Sequence, residues 1–161
     1  MIPRLLAFAL VLTVQCTIHA ADTTDSEVRQ WLNNWQKAVG ARNVDAIMAL
    51  YGQDVIAYDL VRPLQYVGKD AYRKDYEEFV GQYDGPIVVE IRDLHIIPGG
   101  DVVFLYGMQR ISGSIKGQKT DMWVRLSSVL RKTNGTWLDV HDHVSVPADL
   151  ETGKALLDLK P

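Results

Sequence analysis

The second half of the chain reads as four long strands in succession, and no other feature limits its fold as much. The segments "PIVVEIRDLHII", "DVVFLYGMQRISG", "TDMWVRLSSVLRK" and "TWLDVHDHVSV" are rich in β-branched and aromatic residues. "PGGD" joins the first two and "TNGT" the last two, both with hairpin-turn chemistry, and "SIKGQK" supplies the middle turn. Successive hairpins make an antiparallel meander. Such a sheet needs one face covered by something apolar.

The cover comes from the first half. Trp31, Leu32, Trp35, Ala38 and Val39 recur at helical spacing, which predicts a helix from about Asp25 to Ala41. Thr24 and Glu27 have the spacing of a capping box at its start. "NVDAIMALYG" predicts a second short helix, opened by Asn43 and stopped at Gly52. "DVIAYD" reads as a short strand and "RPLQYVG" as a loop or short extended piece. "KDAYRKDYEEFVGQY" predicts a third helix with Tyr72, Tyr76, Phe79 and Val80 as its apolar stripe. Helices first and strands after argue for an α+β fold, not a βαβ one. Long strands curl. A curled antiparallel sheet closed by three helices makes a cone, and its mouth is a natural site for a small apolar ligand.

Composition sets the outer limits. The chain has 161 residues, 47% of them hydrophobic and 23% charged, enough for one globular domain. Its net charge of -3, with no Lys/Arg run, argues against nucleic acid as a partner. The opening "MIPRLLAFALVLTVQCTIHA" has Arg4, an apolar run from Leu5 to Val14 and small residues at Ala20 and Ala21. This is a secretory signal pattern, too short to span a bilayer. The expected organisation is a leader over 1–20, a domain over 21–147 and a tail over 148–161 that forms a helix or a loose end. The expected location is secreted or periplasmic, with no membrane contact after cleavage. The single cysteine, Cys16, lies in the leader, so no disulfide framework is expected.

The stretch "HDHVSVP" raises the question of chemistry. Strict alternation puts Val140, Asp142, Val144 and Val146 on one face and His141, His143 and Ser145 on the other. The valine-rich face is the natural interior. Asp142 then points into the cone and the histidines point away. The two histidines at i, i+2 suit a metal ion, but no third and fourth ligand is evident, so no metal or other cofactor is expected. The rival reading for Asp142 is an ion pair with Arg110 or Arg125. Asp59 closes the first strand, where it serves either as a turn cap or as a functional acid.

The order of elements resembles the nuclear transport factor 2-like fold, and its ketosteroid isomerase-like and SnoaL-like members in particular. "LYGQDVIAYD", "PLQYVGKDAYRKDYEEF" and the closing "HDHVSVP" carry the resemblance, which covers about residues 25–147. It implies that Asp59 is the base that moves a proton beside a carbonyl. It places Trp35 where those isomerases have an oxyanion-donating tyrosine, and Tyr51 and Tyr76 in the supporting tyrosine network. It puts Ser127 where their second oxyanion donor, an acid, stands. Resemblance to SnoaL-like cyclases implies a catalytic aspartate at Asp142. Trp123 and Val144 complete the expected ligand-binding set as cone-wall residues. The implied activity is isomerase- or cyclase-type proton transfer on a small hydrophobic carbonyl compound. The alternative is a binding or assembly module without chemistry, and a homodimer formed through the outer sheet face fits either.

Overall fold

A computed structural model describes the backbone from Leu10 onward and the side chains from Thr23 onward. The whole of the proposed leader, Cys16 included, therefore lies outside the residues whose side chains are described. No helix among the described residues is long and apolar enough to cross a membrane.

The first helix, α1, runs from Leu10 to Gly40. It passes straight through Thr24, so the expected capping box does not start it. The reason is local: no glycine or proline interrupts the chain between Leu10 and Val39. Helix α2 spans Val44–Met48, and the Asn43 side chain accepts the Ala46 N–H at 3.0 Å. It ends before Gly52, because Tyr51 already belongs to strand β1, Tyr51–Tyr58. Gly52 is needed for another purpose. A Cβ there would lie 3.2 Å from Val140 Cγ1 and 3.4 Å from the Asp139 carbonyl.

Strand β2 is the short Tyr66–Val67, and helix α3 is Lys69–Gly81. The meander follows as β3 (Val88–Gly99), β4 (Val102–Ile115), β5 (Gln118–Thr133) and β6 (Thr136–Ser145). Its middle and last turns use Lys116–Gly117 and Asn134–Gly135, all four residues at positive φ as tight hairpins require. The tail is neither a helix nor loose. It folds into a small hairpin, β7 (Ala148–Asp149) with β8 (Lys154–Ala155).

The main sheet has the order β2-β1-β6-β5-β4-β3. It is mixed and not wholly antiparallel, because β1 lies parallel to β6. A bulge in β3 near Asp93 faces Gly107, where a Cβ would sit 2.9 Å from the Arg92 carbonyl. A second bulge lies in β6 at Val140. Such bulges bend the strands that carry them and curl the sheet. Helix α1 packs on β3 and β6, and α3 packs on β1 and β2. The core lies between these helices and the concave face. It is built from Trp31, Trp35, Tyr51, Val55, Leu105 and Leu130 among others.

Candidate functional site

The site begins with the strand that opened the chemical question. Pairing of β6 with β5 slips between Val129–His141 and Leu130–Asp139, leaving Val140 as the extra residue. That slip breaks the simple alternation. Asp139 and Asp142, three residues apart, both turn inward and are 0% and 4% exposed. Val140 does not share the buried face as strict alternation requires. His141 and His143 do turn outward. The His141 Nδ1 lies 2.8 Å from the Ile56 carbonyl, and Tyr58 meets both imidazoles edge-on. No metal-ligand group is present among the described residues.

Asp142 receives a converging set of hydroxyl donors. Tyr72 Oη donates to its Oδ2 at 2.8 Å, Tyr51 Oη to the same oxygen at 3.2 Å, and Ser128 Oγ to Oδ1 at 3.0 Å. Behind them, Tyr51 and Tyr76 share a hydrogen bond of 2.7 Å, and Trp35 Nε1 donates to Tyr76 Oη at 3.1 Å. The aromatic rings pack edge-on, Tyr51 against Tyr72 at 5.3 Å and Tyr72 against Tyr76 at 5.0 Å. Burial pushes all three tyrosines well above the ordinary phenol range, with the Asp142 charge adding to it. They therefore stay protonated and act as donors. Asp142 is raised by burial, while its hydroxyl partners oppose that rise. Asp139 is raised well above the carboxylate range by burial and then by Asp142. Its two oxygens lack a well-aligned partner, although Ser128 Oγ and the His141 N–H lie beside them.

A second acidic pair stands across from this network. Asp59, at the end of β1, adjoins Asp75 of α3, and the Leu60 N–H donates to Asp59. Tyr66 Oη donates to Asp75 Oδ1 at 2.9 Å. Burial, then the neighbouring Asp75 charge, pushes Asp59 up to about 7. Asp75 is also raised, mainly by burial. Two carboxyls this close cannot both ionise readily, so each raises the energy of the other's charged form. None of the four interior acids has a cation in an ion pair among the described residues. Arg110 is occupied by Asp121 and Glu90, so the rival Asp142–Arg110 pair is not formed. Arg125 is exposed.

Both acid groups face one cavity of about 740 Å³. Asp59, Asp142, Trp35, Tyr76 and Val144 all line it. Tyr51 sits behind the wall and reaches the cavity only through Asp142 and Tyr76. Two expected residues are elsewhere. Trp123 and Ser127 share the outer face of β5, while Val124, Leu126 and Ser128 point inward. Ser128, not Ser127, reaches Asp142; a one-residue offset in a strand exchanges faces. Nor is the Trp35 N–H free to meet an oxyanion, since Tyr76 takes it. Asp75 and Tyr72 were the findable omissions. Asp75 stands three residues after Tyr72 and one before Tyr76, inside the buried stripe of α3. Asp139 had no such signal, because the bulge that turns it inward leaves no mark on the alternation.

Comparison with known proteins agrees with this architecture. The family described as SnoaL-like domain matches residues 28–149. A nuclear transport factor 2-like protein of unknown function from Pseudomonas putida is 34% identical, with a TM-score of 0.79, over 87% of this chain and 98% of its own. A candidate dehydratase of the same broad family from Streptomyces avermitilis is 16% identical, with a TM-score of 0.73, over 80% and 99%. A ketosteroid isomerase-like protein from Erwinia carotovora atroseptica is 20% identical, with a TM-score of 0.64, over 74% and 93%. No curated protein matches the chain.

Proposed function

We propose, for a chain that belongs to the SnoaL-like domain family of the nuclear transport factor 2-like superfamily, that it transfers a proton beside the carbonyl of a small hydrophobic compound. One observation carries this reading: two acid groups in different surroundings, Asp59 and Asp142, face the same largely apolar cavity. Asp59 has a single backbone donor and a pKa near 7, which suits a group that takes up and returns a proton at neutral pH. Asp75, whose carboxylate accepts from the Tyr66 hydroxyl, is the neighbouring charge that after burial lifts the Asp59 carboxyl. Asp142, held by three hydroxyls, orients the substrate, and Asp59 returns to the neighbouring carbon the proton it took. The substrate carbon lies between them, and Trp35 and Tyr76 act through Asp142 and not on an oxyanion.

The reading is tested with a panel of small hydrophobic ketones, following solvent deuterium into the α-carbon by NMR. Exchange by the wild type that is lost in Asp59→Asn supports it. Exchange retained in Asp59→Asn sinks it. A second reading, ligand binding without chemistry, draws on one observation: the Trp35 N–H and the Tyr51 and Tyr76 hydroxyls expected near an oxyanion are already engaged inside the protein. Ligand that co-purifies and is never turned over would favour it.

Export and pairing belong to the same proposal. The leader pattern supports a secreted or periplasmic protein, tested by the N-terminal sequence of the mature chain. Tyr58, Phe104 and Tyr106, each about two-fifths exposed on the outer sheet face, support a homodimer, tested by native mass spectrometry.

A further inference from the structure

The cavity wall contains one side chain that the acid network does not use. Gln109 lies on the inner face of β4, is 4% exposed and lines the cavity. Its Oε1 is buried without a hydrogen-bond partner. Its surroundings are apolar: Ile111 follows it on the same face, Val124 is its cross-strand partner, and Met122 and Val146 line the same wall. An unpaired buried amide oxygen is costly, and an apolar residue of similar volume would remove that cost. No protein group satisfies that oxygen, and the side chain that carries it lines the cavity.

The register sets the geometry. Gln109 pairs with Val124, and Ser128 pairs with Asp142. Val124 and Ser128 are four positions apart on one face of β5, which is roughly 13 Å along the strand. The polar contact at Gln109 is therefore remote from Asp142. Thr120 Oγ1, four positions beyond Val124, is a second buried oxygen of this wall without a well-aligned partner, with the Tyr83 hydroxyl beside it. The cavity is thus polar at its acid end, apolar in the middle and polar again along β4 and β5.

We infer that Gln109 is a ligand-binding, specificity-determining residue, and that the substrate is an elongated hydrophobic carbonyl compound with a hydroxyl group at the end remote from its carbonyl. A hydroxyl both donates and accepts, so it satisfies the amide whichever way the amide is turned. The apolar middle of the compound fills the stretch between Gln109 and the acids. This inference rests on the reading that the cavity takes a hydrophobic carbonyl compound, and its test separates the two.

The probes are 4-acetylbiphenyl and its 4′-hydroxy derivative, with binding followed by quenching of tryptophan fluorescence, since Trp35 lines the cavity. Wild type is expected to bind the hydroxylated probe about tenfold more tightly, the discrimination typical of a buried polar group left unpaired by the wrong ligand. Gln109→Leu should bind both probes with similar affinity while keeping its grip on 4-acetylbiphenyl. It should also melt at a higher temperature, having lost an unsatisfied amide. Gln109→Met serves as a second variant of similar volume should the leucine fail to pack. Equal binding of the two probes by wild type overturns the inference. So does a preference that survives in either variant. In both cases the cavity reading stands, because 4-acetylbiphenyl still binds. If neither probe binds wild type, the cavity reading itself fails and the inference falls with it.

Discussion

The two faces of the sheet treat acidic side chains in opposite ways. On the outside, Asp121 and Glu90 meet Arg110, and Asp54 meets Arg131. These pairings hold Asp121 and Asp54 below the ordinary carboxylate range. On the inside, Asp59, Asp75, Asp139 and Asp142 have hydroxyls, backbone N–H groups or each other, and all four are raised. Water and arginine stabilise the charge outside; desolvation penalises it inside. An acid that only stabilised the fold would be better placed among the arginines. Three of these acids, Asp59, Asp75 and Asp142, line one cavity without a cation beside them, which is the contrast that the proposed proton transfer rests on.

The comparison breaks most decisively at Asp59. Asp59→Asn keeps the shape and removes the titrating group. Turnover of an identified carbonyl substrate should fall by about 10²- to 10⁴-fold, the range for losing a general acid–base. Unchanged turnover would mean that the inner acids are structural after all. In the wild type, kcat/KM should rise with pH through an apparent pKa of about 7, as the Asp59 carboxylate forms.

Tyr72→Phe comes next. It deletes the 2.8 Å O–H donor to Asp142 without touching the ring packing. Chemical denaturation should show a loss of about 1–2 kcal/mol. The Asp142 carboxyl resonance should titrate at higher pH than in wild type, since a donor that favours its charged form is gone. No change in that titration would show that Tyr72 does not control Asp142.

The stability of the whole fold should carry the same signature with a smaller amplitude. Asp59 keeps its proton up to about 7 in the fold but releases it near 3.8 when unfolded. Between those values the folded state binds more protons, so stability falls as pH rises through that window and levels off above it. Melting temperatures at pH 5 and pH 8 should therefore differ by several degrees in the wild type and by less in Asp59→Asn. The outer face supplies the smallest effect. Arg131 and Asp54 are both well exposed, so Arg131→Ala should cost at most about 0.5 kcal/mol, and less in high salt. A large loss there would erase the contrast between the faces.

Much of this was legible in residues alone. Strand composition and hairpin turns foretold the meander, and the stripe through Tyr72 and Tyr76 foretold the buried face of α3. The inward turn of Asp142 and the outward turn of His141 and His143 followed from period-two alternation, which holds from His141 onward. The same rule failed four residues of interest. It missed Asp139, because the bulge at Val140 shifts the period by one. It offered nothing to separate Ser127 from Ser128, or to place Trp123 outside, because both faces of β5 carry mixed residues. Helical spacing and the Thr24–Glu27 pair set the start of α1 at about Asp25, but no breaker precedes them and the helix extends back to Leu10.

What the chain determined by itself is therefore periodic and local: the kinds of element, their order, their turns and the stripe each presents. These depend on backbone preferences and on side chains a few positions apart. What only the tertiary structure decided is the company each polar group keeps. The parallel pairing of β1 with β6, the bulge at Val140 and the seating of α3 bring Asp59 to Asp75 and Tyr72 to Asp142, across 16 and 70 positions of chain. They also leave the Gln109 amide oxygen without a partner in an apolar wall. Protonation and hydrogen bonding depend on neighbours in space. No local pattern encodes those neighbours until the sheet has closed.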